Sequence, residues 1–178
     1  MTTQPPMHLC PSISGNIEAI DQGLELFSVL SNENYVYKAK PYVDSSMGEH
    51  LRHILDLYHA VINESETGVI DYDHRRRGAH VERERMVGIK ELTEIKIWLT
   101  KLSESELNRN VIILSEASIS TQQVCEMTST LQRELLFVGS HTIHHFALIN
   151  VIAKHLKLDT DERFGYAPAT ATYLRKQA

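Results

Sequence analysis

One segment of the chain combines a long apolar stripe with three histidines: Arg133-Glu-Leu-Leu-Phe-Val-Gly-Ser-His-Thr-Ile-His-His-Phe-Ala-Leu-Ile-Asn-Val-Ile-Ala-Lys-His155. Its spacing predicts a long helix. Since each helical residue turns by about 100°, His141 and His145 lie about 40° apart on one face, and His144 lies about 60° to the other side of His141. The same face carries Val138, Leu148 and Ile152. The histidine pair is therefore expected to point toward a core.

Composition predicts a single domain over residues 1–178. The chain has 178 residues, of which 42% are apolar, and this is enough to bury one substantial core. The formal net charge of -5 and the pI near 6.0 argue against a nucleic-acid-binding protein. The run Arg75-Arg76-Arg77 is the local exception, and a run of this kind is either a solvated face or an anion-binding patch.

The two cysteines predict a reducing compartment, because Cys10 and Cys125 stand far apart and form neither a disulfide framework nor a zinc-ribbon pattern. The N-terminus lacks the basic and apolar regions of a secretory signal, and no run approaches the roughly 20 apolar residues of a membrane span. We expect a soluble, cytoplasmic protein with no membrane partner.

The order of elements predicts an all-α four-helix bundle with a small inserted β-hairpin. Apolar spacing predicts helices from Ile13 to about Tyr37, from the Ser46-Met-Gly-Glu49 capping box to about Glu64, and from about Ala79 to Leu102. The fourth helix is expected to begin at a second capping box, Ser129–Gln132, and to end near Leu156 or Leu158.

The segments between these helices have different expected conformations. Residues 1–12 are expected to form an irregular lead-in, and residues 159–178 an extended C-terminal tail. The charged segment Gly68–Gly78 is expected to connect two helices over the surface. Apolar runs at 111–114 and 123–127 flank a polar segment, which is the pattern of a hairpin inserted before the last long helix.

The histidines form a candidate metal site. A His-x-x-x-His pair presents two imidazoles one helical turn apart, and His50 or His53 of the second helix can supply a third. Three imidazoles leave an open position, as in catalytic sites. A metallopeptidase is excluded because Thr142 stands where His-Glu-x-x-His requires glutamate. The competing interpretation is a pair of core histidines that hydrogen-bond neighbouring helices.

Two carboxylates have similar alternatives. Glu134 lies two turns before His141 on nearly the same face, and it can fix the tautomer of an imidazole or pair with Arg133 at the surface. Asp56, one turn after His53, has the same ambiguity.

Two motifs resemble the DinB/YfiT-like family of four-helix-bundle proteins: Gly48-Glu-His-Leu-Arg-His-Ile-Leu-Asp56 and Ser140-His-Thr-Ile-His-His-Phe-Ala147. The resemblance extends over nearly the whole chain. It implies a divalent metal (zinc, nickel or iron) held by His53, His141 and His145. His53 is preferred to His50 because the ligand in this family is commonly followed by two apolar residues and an acidic one, as in His53-Ile-Leu-Asp56. His144 and His50 then become neighbours able to orient a bound group or transfer a proton.

The resemblance implies a metal-dependent enzyme, such as a thiol-dependent S-transferase, that activates a low-molecular-weight thiol against a small electrophilic substrate. A related hydrolytic reaction belongs to the same class. The alternative is a non-catalytic, stress-associated metal-binding or structural interaction protein. Relatives often associate through bundle helices, so we expect a homodimer. The Arg75–Arg77 run can bind the carboxylates of such a thiol or remain solvated.

Overall fold

The structure, a computed structural model, describes residues 9–177. It contains four long helices: α1 (Pro11–Val29), α3 (Met47–Thr67), α4 (Arg85–Leu99) and α6 (Leu131–His155). Three short helices accompany them: α2 (Asn32–Val36), α5 (Glu104–Leu107) and α7 (Pro168–Arg175). Three strands form one sheet: β1 (Val69–Asp71), β2 (Asn110–Glu116) and β3 (Val124–Thr130). The predicted all-α bundle with a small inserted hairpin is confirmed.

The core lies between the four long helices. Helix α1 packs against α4 and α6, while α3 packs against α6 and α4. Each contributes an apolar face, with Ile20 and Phe27 from α1, and Leu51, Ile54 and Tyr58 from α3. The facing helices contribute Leu92, Ile95, Leu135, Val138, Phe146 and Ile149. This arrangement places one face of α3 directly opposite the histidine-bearing face of α6.

The two predicted capping boxes have different outcomes. At α3 the box is confirmed, because Ser46 Oγ accepts from Glu49 N and the Glu49 carboxylate accepts from Ser46 N. At α6 it is wrong. Thr130 is the N-cap and its hydroxyl accepts from Arg133 N, whereas Ser129 Oγ donates to Glu134 at 2.6 Å.

The first and third helices are shorter than predicted. Helix α1 ends at Val29, because the buried Leu30 takes an extended conformation before the separate helix α2. The third helix begins at Arg85 and not near Ala79, since a 3-10 turn occupies His80–Glu82. Tyr35 donates a 2.6 Å hydrogen bond to the carbonyl of Val81, which ties this turn to α2.

The sheet contains one strand that the sequence patterns did not predict. Strands β2 and β3 pair antiparallel, in agreement with the hairpin, and β1 pairs with β2 in parallel, with Val69 opposite Ile112. The segment 68–78 is therefore not purely a surface connection, because Ile70 and Tyr72 are buried. The charged residues from Asp73 to Arg77 outnumber the few apolar residues of this segment, so its strand pattern was not recognised.

The C-terminal segment also differs from its prediction. An extended tail was expected over residues 159–178, but Pro168–Arg175 form α7. Before it, Phe164 is buried and stacks on Phe146 at 5.0 Å between ring centroids. Gly165 has a φ of 76°, and a Cβ there would lie 2.7 Å from the backbone nitrogen of Ala147. Only glycine allows the chain to pass this close to α6.

The predicted lead-in, residues 1–12, falls mostly outside the described residues, which begin at Leu9. Two of its residues, Pro11 and Ser12, already belong to α1. Proline fits this position because the first helical residue needs no amide hydrogen bond.

Helix α6 is long and apolar enough to cross a membrane by length and composition alone, which differs from the expectation that no segment would be. The central helix of a soluble bundle passes the same test, and α6 packs against α1 and α3. The cytoplasmic location stays a prediction.

Candidate metal centre

Three histidines converge between α3 and α6. His53 projects from α3, and His141 and His145 project from successive turns of α6. The Nε2 atom of His141 lies 2.9 Å from Nε2 of His53 and 3.0 Å from Nε2 of His145. One nitrogen from each ring lies within 4.8 Å of the others. The structure thus brings together the three residues predicted as ligands, with His53 and not His50 in the group.

Hydrogen bonds among the three rings fit this arrangement poorly. An imidazole nitrogen carries either a proton or one lone pair in the ring plane. The Nε2 atom of His141 faces two other nitrogens and can therefore make a good hydrogen bond with only one of them. Three nitrogens that share one centre are instead the donor set of a transition-metal ion.

The spacing fits such an ion with little adjustment. Nitrogens bound at about 2.0–2.1 Å to one tetrahedral metal lie about 3.3–3.4 Å apart. His141 Nε2 lies 2.9 and 3.0 Å from the other two nitrogens, so these pairs would move apart by a few tenths of an ångström, and the nitrogens of His53 and His145 lie within 4.8 Å of each other.

Electrostatics keep the rings neutral. Burial, followed by the neighbouring histidines, lowers the pKa of His145 to about 2. Burial, followed by the charge of Arg75, lowers the pKa of His53 to about 4. Burial also lowers the pKa of His141. Neutral imidazoles present lone pairs at neutral pH, as metal ligands must.

His50 lies behind His145 and not in the group of three. Its Nδ1 is 2.9 Å from Nδ1 of His145, and its side chain is buried. When Nε2 of His145 offers its lone pair to the centre, Nδ1 of His145 carries the proton and donates it to His50. The other nitrogen of His50, Nε2, is buried without a hydrogen-bond partner among residues 9–177.

His144 is exposed and lies at the edge of the cluster. Its ring centroid is 5.4 Å from that of His145 and 6.0 Å from that of His141. It lines a groove between α1, α6 and the segment around Phe164. Of the two predicted proton-transfer candidates, His144 is therefore solvent-accessible and His50 is enclosed.

The architecture that positions these histidines matches a known structure. The chain is similar to a DinB-like protein, YjoA, from Bacillus subtilis, with a TM-score of 0.55 and 18% sequence identity. The match covers 84% of this chain and 94% of that one. The chain has the DinB-like fold. The resemblance predicted from the two histidine motifs is confirmed at the level of the fold.

A comparison of sequences finds one relative that matches part of the chain. Over 109 residues the chain is 28% identical to FK506-binding protein 5 of Rhizopus delemar. The match covers 61% of this chain and spans 28% of the length of that protein. No protein-family model matches the chain.

Asp56 does not hydrogen-bond a histidine of the cluster. It accepts from Arg52 at 3.0 Å, from Arg76 Nε at 2.7 Å and from Arg76 N at 3.2 Å. Arg52 also pairs with Glu82, and Arg76 with Glu91. The spacing of Arg52 and Asp56, four residues apart on one helix, is the sequence signal that could have indicated part of this network.

Glu134 fits neither of its predicted roles. It is buried, and its carboxylate accepts from Tyr72 Oη at 2.8 Å and from Ser129 Oγ at 2.6 Å. Burial and the Glu134 charge raise the pKa of Tyr72, which keeps its hydroxyl protonated. The Phe137 ring lies between Tyr72 and His141, with centroids 5.1 and 5.8 Å away. These aromatic contacts beside His141 were not predicted from the sequence.

The arginine run divides into three environments. Arg76 belongs to the ion-pair network, and Arg77 is exposed. Arg75 is half-buried, and its charge lowers the pKa of both His53 and His141. Of the three arginines in the run, Arg75 thus acts electrostatically on the histidine cluster.

Proposed function

We propose that this chain is a divalent-metal-binding protein in which His53, His141 and His145 hold the ion. The observation that carries the proposal is the meeting of three neutral imidazole nitrogens, in which Nε2 of His141 faces two other ring nitrogens. Zinc, nickel and iron all suit such a donor set.

We further propose that the protein is a metal-dependent enzyme, with thiol-dependent S-transfer or a related hydrolysis as the reaction class. A divalent ion lowers the pKa of a bound thiol or water, which supplies a nucleophile at neutral pH. In support, residues 9–177 bring only three ligand residues to the cluster, which leaves a position for a further ligand. His144 is exposed at the edge and is the candidate for moving a proton to or from solvent.

The alternative is a stress-associated metal-binding or structural interaction protein with no turnover. The predicted homodimer, cytoplasmic location, thiol and electrophilic substrate belong to the same proposal. Sedimentation of the purified chain tests the dimer.

Metal analysis tests the site. Protein purified without a histidine tag or chelator should contain about one equivalent of a transition metal, and His141→Ala or His145→Ala should release it. His53→Ala should do the same, while His50→Ala should retain metal at saturating concentration. His155→Ala is the matched control, because His155 is a solvent-exposed histidine of the same helix that contacts Tyr37. Less than about a tenth of an equivalent in the unaltered protein would exclude the site.

A thiol screen separates the enzyme from the binding protein. The loaded protein is mixed with small thiols and an electrophile, and product is followed with His144→Ala as a comparison. Turnover that His141→Ala abolishes supports the enzyme. Metal held by four protein ligands, with no turnover, supports the non-catalytic alternative.

A further inference from the structure

A groove runs along the side of α6 that faces away from the histidine cluster. It lies between α1, α6 and the segment 159–171, and its volume is about 1260 Å³. Ile143 and Ala147 of α6 line it. At about 100° per residue, these two lie roughly opposite His141 and His145 on the helix. The groove is therefore a second concave surface, separate from the proposed metal site, which it approaches at His144.

The groove exposes apolar side chains along its length. Val29 of α1 is 76% exposed, Leu136 of α6 is 56% exposed, and both line the groove. Tyr166, on the segment that forms the third side, is also partly exposed. Apolar side chains along a concave surface between helices are typical of a site that receives an amphipathic helix.

The charges around the groove are mostly negative. Its lining carries five carboxylates and one arginine: Glu18, Asp21, Glu25, Asp159, Asp161 and Arg163. Arg163 pairs with Asp161, and Lys96 pairs with Asp21. Within residues 9–177, Glu18 and Glu25 form no ion pair, and their separation of about two turns places both on one side of α1. A helix that binds here should therefore carry positive charge.

Helix α7 has the properties that this groove requires. No side chain of Pro168–Arg175 is buried within the described part of the chain, and Tyr173 and Leu174 are exposed. Arg175 and the following Lys176 are positive, and neither forms an ion pair within residues 9–177. Helices shorter than about 12–15 residues are marginal in water unless they pack against a partner. Helix α7, with eight residues, lacks such packing within a single chain.

We propose that the groove binds α7 of a second copy of this chain in a reciprocal contact. This inference rests on the homodimer of the proposed function and names its interface. Pro168 and Ala171 of α7 line the rim of the groove in their own chain. A two-fold axis applies the same contact twice. An axis that brings the two grooves face to face therefore places each α7 over the groove of the other copy.

The two surfaces are complementary in polarity and charge. The exposed side chains of Tyr173 and Leu174 supply apolar area for the lining of the groove. Arg175 at the end of α7 supplies positive charge to the carboxylates of Glu18 and Glu25. The dimer thus provides partners for groups that have none in a single chain.

Sedimentation of two charge-reversed full chains tests this inference. The groove variant carries Glu18→Lys and Glu25→Lys, and the tail variant carries Arg175→Glu and Lys176→Glu. Each variant alone places like charges opposite each other, which should raise the dimer dissociation constant at least about tenfold. In an equimolar mixture, both contacts of the mixed dimer again pair opposite charges. Mixing should therefore restore the dissociation constant to within about threefold of that of the unaltered chain.

A chain with Lys90→Glu and Lys101→Glu is the matched control, because it makes the same charge change at exposed positions outside the groove. It should dimerise like the unaltered protein. Leu174→Ser is a second probe that leaves the bundle core intact, and it should also raise the dissociation constant at least about tenfold. Circular dichroism of each variant verifies that it is folded.

Three results would overturn the inference. An unaltered chain that stays monomeric would overturn it together with the predicted homodimer. A dimer that neither charge reversal weakens would keep the homodimer and place its interface elsewhere. Two weakened variants that do not recover on mixing would show that α7 and the groove do not meet. None of these results bears on metal content, which is measured separately and tests the histidine site by itself.

Discussion

Two polar clusters lie between the long helices, and they differ in whether their hydrogen-bonding groups are satisfied. In the first, Asn16 of α1 donates to the carbonyls of Ser12 at 2.7 Å and Leu135 at 3.0 Å, and Tyr58 of α3 donates to Asn16 Oδ1 at 2.7 Å. Every donor in this set has an acceptor. Gly139 lets α6 approach, since a Cβ there would lie 3.0 Å from Asn16 Oδ1.

In the second cluster, Nε2 of His141 faces Nε2 of both His53 and His145, and it can make a good hydrogen bond with only one of them. Both clusters include residues of α3 and α6, and the first is centred on Asn16 of α1. The three rings contact one another through nitrogens that a metal ion can also bind. The first cluster holds the helices together, whereas the second is the proposed metal site.

The largest difference between the two clusters is expected in how each contributes to the pH dependence of stability. The folded pKa values of His145, about 2, and His53, about 4, lie below the ordinary value of 6.5. As pH falls below about 6.5, the unfolded chain takes up protons that the folded chain does not, so the free energy of unfolding decreases as the pH decreases. Urea unfolding in chelator at pH 7, 6 and 5 should show this loss, and His145→Gln should lose less. Asn16 does not titrate, so a Tyr58→Phe variant should keep the full pH dependence of the unaltered protein.

Metal should stabilise the protein only through the second cluster. At about 100 times its dissociation constant, a ligand that binds only the folded state adds about 2.7 kcal/mol to the free energy of unfolding. His141→Ala should abolish this gain, and Tyr58→Phe should keep it. Unfolding curves with zinc and with chelator provide the measurement. A full gain in His141→Ala would assign the ion to another place.

Loss of one hydroxyl should weaken the first cluster whether or not metal is present. Tyr58→Phe leaves the Asn16 carbonyl oxygen buried without its donor, which should cost about 1.5 kcal/mol. Tyr173→Phe is the control, because Tyr173 is exposed and should change stability little. A Tyr58→Phe cost that appeared only with metal would show that the two clusters are coupled.

The smallest effect is expected at His50, which contacts the proposed metal ligand His145. His50→Ala removes the acceptor for Nδ1 of His145 and should weaken metal binding about tenfold, at the lower end for residues that orient a ligand. His50→Gln, which can still offer an oxygen acceptor, should recover part of the affinity. Competition with a colorimetric chelator measures both. Unchanged affinity in His50→Ala would remove His50 from the site.

Sequence patterns predict the parts of this molecule that depend on local spacing. The Ser46 capping box and the one-turn spacing of His141 and His145 are local, and the four long helices follow from apolar periodicity. The choice between His50 and His53 is different, because both lie near the same face of α3. Only the crossing of α3 and α6 decides which ring meets His141.

The features that sequence did not reveal depend on distant partners. Strand β1 has three residues and pairs in parallel with a strand about 40 residues later, so its local signal is weak. Glu134 accepts a hydrogen bond from Tyr72, and the backbone amide of Arg76 donates to Asp56. None of these contacts has a spacing in the chain that a helical or strand period could indicate.

Anomalous diffraction at the absorption edge of the metal in crystals of the untagged protein is the most direct test of the metal centre. The expected result is one strong peak per chain, with nitrogens of His53, His141 and His145 at about 2.0–2.1 Å for zinc. No peak at the cluster after growth with added metal, or a peak at another group of residues, would contradict it.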